Sequence, residues 1–155
     1  MKIRLAKGHH DLEIVVNLLN EVTEMLLKKG IKQWEHPWDA TEIEVDINTN
    51  RLYVVEVDGE VACSFSIKKI DQLNSLTIKE GLYLYRIAVL PKLQGKDYGG
   101  KIIDFSICLA REGNLSLYLD CWAGNEKLKN FYSCSGLAYL GDYPEEDYMI
   151  SIFKG

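Results

Sequence analysis

Between Gly81 and Ala110 the hydrophobic pattern changes its period, and a proline and several glycines stand at the change. Gly81–Leu90 reads as a strand, stopped by Pro91, which cannot donate to a sheet ladder. The loop Leu93-Gln94-Gly95-Lys96-Asp97-Tyr98-Gly99-Gly100 follows, and then Ile102, Ile103, Ser106, Leu109 and Ala110 share one helical face. A strand, loop and helix in this order need a sheet for the strand and a surface to cover the helix face, which points to a mixed α/β architecture. Backbone N–H groups at the start of a helix, open where glycine lets a ligand approach, suit a phosphate or pyrophosphate in principle. Taken alone, the same loop is equally well read as a plain connection between strand and helix.

The other segments supply the rest of such a sheet. Met1–Lys7 alternates apolar and polar residues as an opening strand. Asp11 is placed to cap a helix in which Leu12, Val15, Val16, Leu19, Val22 and Leu26 recur at helical spacing up to Gly30. The segment Gln33–Trp38 breaks the pattern, and Asp39 with Glu42 then resembles a capping box that opens a shorter helix to about Asn48. Leu52–Val57 and Val61–Ile67 flank Asp58-Gly59, the signature of a type I′ hairpin turn, and Asp71–Glu80 reads as a polar loop. Leu115–Cys121 alternates as a strand, and Asn125 opens a short helix that ends at Ser135-Gly136. Two strands at about 137–140 and 148–153 close the chain. The expected order is β-α-α-β-β-β-α-β-α-β-β, an α/β (α+β) fold with a mixed sheet and helices on both faces.

Composition narrows the function. With 18 Lys and Arg against 23 Asp and Glu, the net charge is −5, which disfavours a surface given over to nucleic acid or anionic lipid. The 155 residues, 47% apolar, suffice for a single domain over 1–155, with no repeat or linker to divide it. No apolar run approaches the roughly 20 residues that span a bilayer, and the first residues lack the apolar core of a signal peptide, so a cytoplasmic location is expected. Cys63, Cys108, Cys121 and Cys134 stand singly, without zinc-ligand spacing, so no metal site is expected and the thiols read as reduced and mostly buried.

The loop is not the only motif. Gln94-Gly95-Lys96-Asp97-Tyr98-Gly99 after Ile87-Ala88-Val89-Leu90-Pro91 resembles the acetyl-CoA loop of the GNAT superfamily of N-acetyltransferases, Gln/Arg-x-x-Gly-x-Gly/Ala. Asn125-Glu126-Lys127-Leu128-Lys129-Asn130-Phe131-Tyr132-Ser133-Cys134-Ser135-Gly136-Leu137 is similar to a second segment of that family, in the same order and at the same separation. The resemblance is close over the second half of the chain; the first half agrees in element order and in its Ile3-Arg4-Leu5-Ala6 opening. It implies a GNAT-like mostly antiparallel sheet, acetyl-CoA as cofactor, and an amine acceptor, either a small molecule or a peptide or protein. A homodimer is compatible with it. The alternative is a non-catalytic module of the same fold that senses acyl-CoA or docks a protein partner.

Residue by residue, the resemblance implies that Ile87, Ala88 and Val89 run along the pantetheine, with Gln94, Gly95, Lys96, Asp97, Tyr98, Gly99 and Gly100 around the pyrophosphate and Asn125 nearby. Asp97 stands where the family's middle glycine falls. A carboxylate about 4 Å from a phosphate would cost about 1 kcal/mol at water-like dielectric and about 4 kcal/mol at the effective value near a protein surface. The alternative is that Asp97 caps its own helix and points away, with Lys92, Lys96 or Lys101 offsetting its charge. Tyr132 is the candidate general acid, since a phenol stays protonated at neutral pH; otherwise it is a core aromatic.

No carboxylate lies within Leu82–Leu90, so the base stays open between Asp120, Glu80 and a water chain. Tyr83, Tyr85 and Asp120, with Trp34 and Trp38, are the candidate acceptor-binding residues. The tryptophans would suit a cation, or else they plug the segment onto the fold. Arg86 would meet an anionic group on the acceptor or close a salt bridge.

Overall fold

A computed structural model describes all 155 residues. Seven strands and four helices follow in the expected order: β1 (Lys2–Leu5), α1 (Gly8–Lys28), α2 (Ala40–Asn48), β2 (Leu52–Val57), β3 (Glu60–Leu73), β4 (Leu76–Val89), α3 (Tyr98–Glu112), β5 (Ser116–Trp122), α4 (Glu126–Cys134), β6 (Ala138–Glu145) and β7 (Tyr148–Lys154). The strands form one mixed, mostly antiparallel sheet in the order β1-β2-β3-β4-β5-β7-β6. No helix is long and apolar enough to cross a membrane. The chain divides into two compact units, Met1–Ser66 with Arg86–Gly99, and Ile67–Tyr85 with Gly100–Gly155.

The first unit is built on the apolar face of α1. Leu12, Val15, Leu19 and Val22 pack with Ile43 and Ile47 of α2 and with Leu52 and Val54 of β2, all at most 7% exposed. Asp58 (φ 53) and Gly59 (φ 80) make the left-handed turn between β2 and β3, as the sequence predicts. Asp39 caps α2, its side chain accepting the Thr41 N–H at 2.9 Å. Asp11 does not cap α1: the N-cap is Lys7, and α1 starts four residues earlier than expected, at Gly8. The Asp11 carboxylate lies one turn inside, where it accepts the Lys7 N–H at 2.8 Å and an Arg4 Nη1 hydrogen at 2.7 Å. Those Arg4 bonds, above all, hold its carboxyl below the usual carboxylate range despite burial.

In the second unit the polar stretch after Lys69 is a hairpin rather than a loop. β3 continues to Leu73 and β4 begins at Leu76. Leu73 and Ile78 are buried with Tyr118, Ile150 and Ile152, while Asp71, Gln72, Thr77 and Lys79 face outward. The alternation of a half-buried ribbon thus explains the polarity. Asn74, at φ 56, turns the chain, and its amide donates to Pro144 O at 2.6 Å and Glu145 Oε2 at 2.9 Å. β4 and β5 are parallel, paired from Gly81↔Ser116 to Tyr83↔Tyr118. Gly81 lies against the Tyr118 ring, where an added Cβ would come within 2.7 Å. β6 is longer than expected and reaches Glu145, because at the sheet edge it tolerates Pro144 and a register shift between Tyr139 and Gly141.

Candidate active site

In the first unit, β4 ends at Val89 and a 3-10 turn, Pro91–Leu93, delivers the chain to the exposed residues Gln94–Asp97. Gly95 (φ 84) and Asp97 (φ 63) both lie in the left-handed region. Nothing lies within 4 Å of a Cβ built on Gly95, so its glycine answers to backbone conformation and not to space. Asp97 explains itself the same way: it takes the conformation that a glycine would supply there, which aspartate tolerates better than most residues.

The N–H groups of Gly95, Lys96 and Asp97 have no partner in the protein. Successive unsatisfied N–H groups beside left-handed residues form a concavity suited to an anion, so this loop fits a pyrophosphate. The Gln94 side chain turns back instead, its Nε2 donating to Val89 O at 3.2 Å. Arg86, also in this unit, has φ 53, a kink within β4. Its guanidinium donates to Asp46 at 3.0 Å, lies 3.6 Å from Glu42 and sits 5.3 Å above the Trp38 ring. Trp38 is further held by Asn20 Oδ1 at 2.8 Å and Thr23 Oγ1 at 2.9 Å and meets Trp34 edge-on at 5.5 Å. The two indoles thus fasten the segment to α1.

In the second unit β4 and β5 carry three of the predicted acceptor groups, Tyr83, Tyr85 and Asp120, and α4 carries the catalytic candidate Tyr132. Tyr83 donates its hydroxyl to Asp120 Oδ1 at 2.8 Å, and its ring stacks on Tyr85 at 5.2 Å and 7°. Burial pushes the Asp120 carboxyl up to about 6, with Glu145 adding to the rise and the Tyr83 hydrogen bond opposing it. Tyr132, 4% exposed, packs edge-on against Phe153 at 5.4 Å. Its hydroxyl has no hydrogen-bond partner in the protein, and burial, then the neighbouring Cys121 and Asp120, raises its pKa strongly.

Asn125 lies at the N-terminus of α4, and its Oδ1 accepts the Leu128 N–H at 3.1 Å as the helix cap. Glu80 is exposed. The thiols are only half as buried as expected: Cys63 and Cys121 are buried, whereas Cys108 and Cys134 are exposed because they lie on the outer faces of α3 and α4. Desolvation pushes the Cys63 thiol up to about 11 and that of Cys121 to about 12, so both are neutral at pH 7.

Sequence reasoning misses Lys68. Its Nζ lies 4.9 Å from the Tyr85 centroid and 5.8 Å from that of Tyr83. The signal was present: Ser64, Ser66 and Lys68 continue one alternating face of β3.

The comparisons with known proteins agree with this fold. Residues 17–136, or 120 of 155, match the model of the acetyltransferase (GNAT) family. An uncharacterised N-acetyltransferase of Lactobacillus delbrueckii subsp. lactis is 32% identical over 107 residues, which cover 64% of this chain and 62% of that protein, less than two thirds of its length. A GNAT-family acetyltransferase from Listeria monocytogenes superposes with a TM-score of 0.80 at 23% identity, covering 99% of this chain and 93% of the other. The Salmonella typhimurium protein yncA, solved with its cofactor acetyl-CoA, has a TM-score of 0.75 at 16% identity, covering 100% of this chain and 92% of its own. With its sheet order, its anion-ready loop and a family match over most of its length, the chain belongs to the acetyltransferase (GNAT) family, acyltransferases whose acetyl donor is acetyl-CoA.

Proposed function

We propose that this protein acetylates a primary amine, with Asp120 as general base and Tyr132 as general acid. The observation that carries the reading is the pairing of these two groups in one unit. One is a carboxyl with a pKa of about 6, and the other is a buried phenol whose hydroxyl has no partner. When bound, acetyl-CoA supplies an activated thioester, so that amine and thioester give amide and thiol with no further reactant. The main-chain N–H groups of Gly95, Lys96 and Asp97 would hold its pyrophosphate, and Ile87 and Val89 would flank the pantetheine.

Asp120 acts on the acceptor. An amine arrives at neutral pH as an ammonium ion, and a carboxylate with a pKa near 6 is ionised enough to take its proton and basic enough to matter. Tyr83 fixes the carboxylate by donating to one oxygen, which leaves the other for that proton. Tyr132 holds its proton at every pH of interest and presents it to the leaving sulfur.

Thiol release on a panel of amines tests the reading. Tyr132→Phe should lower kcat by about 10²–10⁴-fold with the Kd for CoA unchanged. Unaltered turnover on every accepted amine would refute the acid role.

A further inference from the structure

We propose that the acceptor carries a carboxylate beside its reacting amine, as a free amino acid does, and that Lys68 binds this carboxylate while the ammonium faces Asp120. The inference rests on the acetyl-transfer reading above and narrows its acceptor to a zwitterionic class.

The half-buried cations of the second unit are Lys68 and Lys129. Lys129 is provided for: it lies 3.6 Å from Glu126 and donates to Ala123 O at 3.3 Å. Lys68 has no carboxylate; its contacts are the faces of Tyr83 and Tyr85. Ring faces attract an ammonium but accept none of its hydrogen bonds as an anion would, so its donors remain unspent. The nearby acid does not answer to Lys68 either, because Asp120 is bonded to the Tyr83 hydroxyl.

One side chain, Tyr83, therefore stands between a cation lacking an anion and an anion lacking a cation: its ring underlies Lys68 and its hydroxyl anchors Asp120. A ligand with both charges a few bonds apart satisfies both at once through charge-assisted hydrogen bonds. A simple amine would meet Asp120 but leave Lys68 repelling its own positive charge, and a peptide N-terminus has an amide where the carboxylate is needed. The same pair thus selects and rejects. Arg86, a half-buried cation of β4, cannot take this part, since Asp46 and Glu42 already hold it.

The test uses the twenty common amino acids as free acids and the matching amides. Binding to the cofactor-free protein is read by calorimetry, and KM is read with acetyl-CoA present. At least one free acid should bind, its amide at least tenfold more weakly. Lys68→Met should erase that preference while the Kd for CoA is retained, and Lys68→Arg should restore it. If no free acid binds, if acids and amides bind alike, or if Lys68→Met leaves the ratio intact, the proposal is overturned. Failure of the acetyl-transfer reading would look different: the acid-over-amide preference in binding would persist, but no free acid or amine would release thiol from acetyl-CoA.

Discussion

Replacing Asp120 with asparagine should move stability and activity in opposite directions. The amide keeps nearly the same shape and still offers an oxygen to the Tyr83 hydroxyl, so the change removes little besides charge. The wild-type carboxyl is displaced from 3.8 to about 6, chiefly by burial. A displacement of about two units at 1.36 kcal/mol each is about 3 kcal/mol held against the folded state once the group ionises. The sign follows from proton counting. The folded carboxyl keeps its proton where the unfolded one has lost it, so the Asp120 contribution to stability falls as pH rises from about 4 to about 6 and is level on either side. Asparagine does not titrate.

The variant should therefore be more stable than wild type by up to about 3 kcal/mol at pH 7.5, shrinking toward zero at pH 4. Its thiol release should drop by two orders of magnitude or more. In wild type, kcat/KM should rise through pH 6. Urea unfolding at both pH values and initial rates are sufficient measurements. A variant less stable at pH 7.5, or displaced equally at both pH values, would show that no strained carboxylate sits there; an unaltered rate would remove the base assignment.

Two further outcomes follow from the loop and from α4. Asp97→Gly relieves a residue at φ 63 but adds a freer unfolded chain, so stability should change by no more than about 0.5 kcal/mol. Loss of an exposed negative charge beside the unsatisfied N–H groups should tighten CoA binding about fivefold at low salt and less at high salt. A Kd that does not move would place the carboxylate away from the phosphates. Asn125→Ala removes the cap of α4 and should cost about 1 kcal/mol with the CoA affinity retained. A variant of normal stability and weakened CoA binding would reverse that assignment.

The elements with a clean period were readable in the sequence. α1, α2 and the Asp58-Gly59 hairpin declare themselves through spacing and through residues that accept positive φ. The β3–β4 hairpin did not, because a ribbon with one wet face carries as many polar residues as a loop does. At the site, Asp97 looked anomalous as a charge, and only the backbone shows that conformation decides the position. Tyr83, Asp120 and Tyr132 could be named from the sequence. The bond between Tyr83 and Asp120 could not, since it depends on parallel pairing of β4 with β5 across a helix and two turns. Lys68 was invisible for a related reason: a lysine on a strand looks like any solvated lysine until its aromatic neighbours are known.

The amide of Asn74 has a mechanical consequence. It fastens the tip of one hairpin to the tip of another that follows some seventy residues later, through Pro144 and Glu145. Neither turn can fray without breaking the other's bonds, so amide protons near both tips should exchange with solvent as one cooperative group. The far rim of the β3–β4 ribbon is thereby held still by the last pair of strands in the chain.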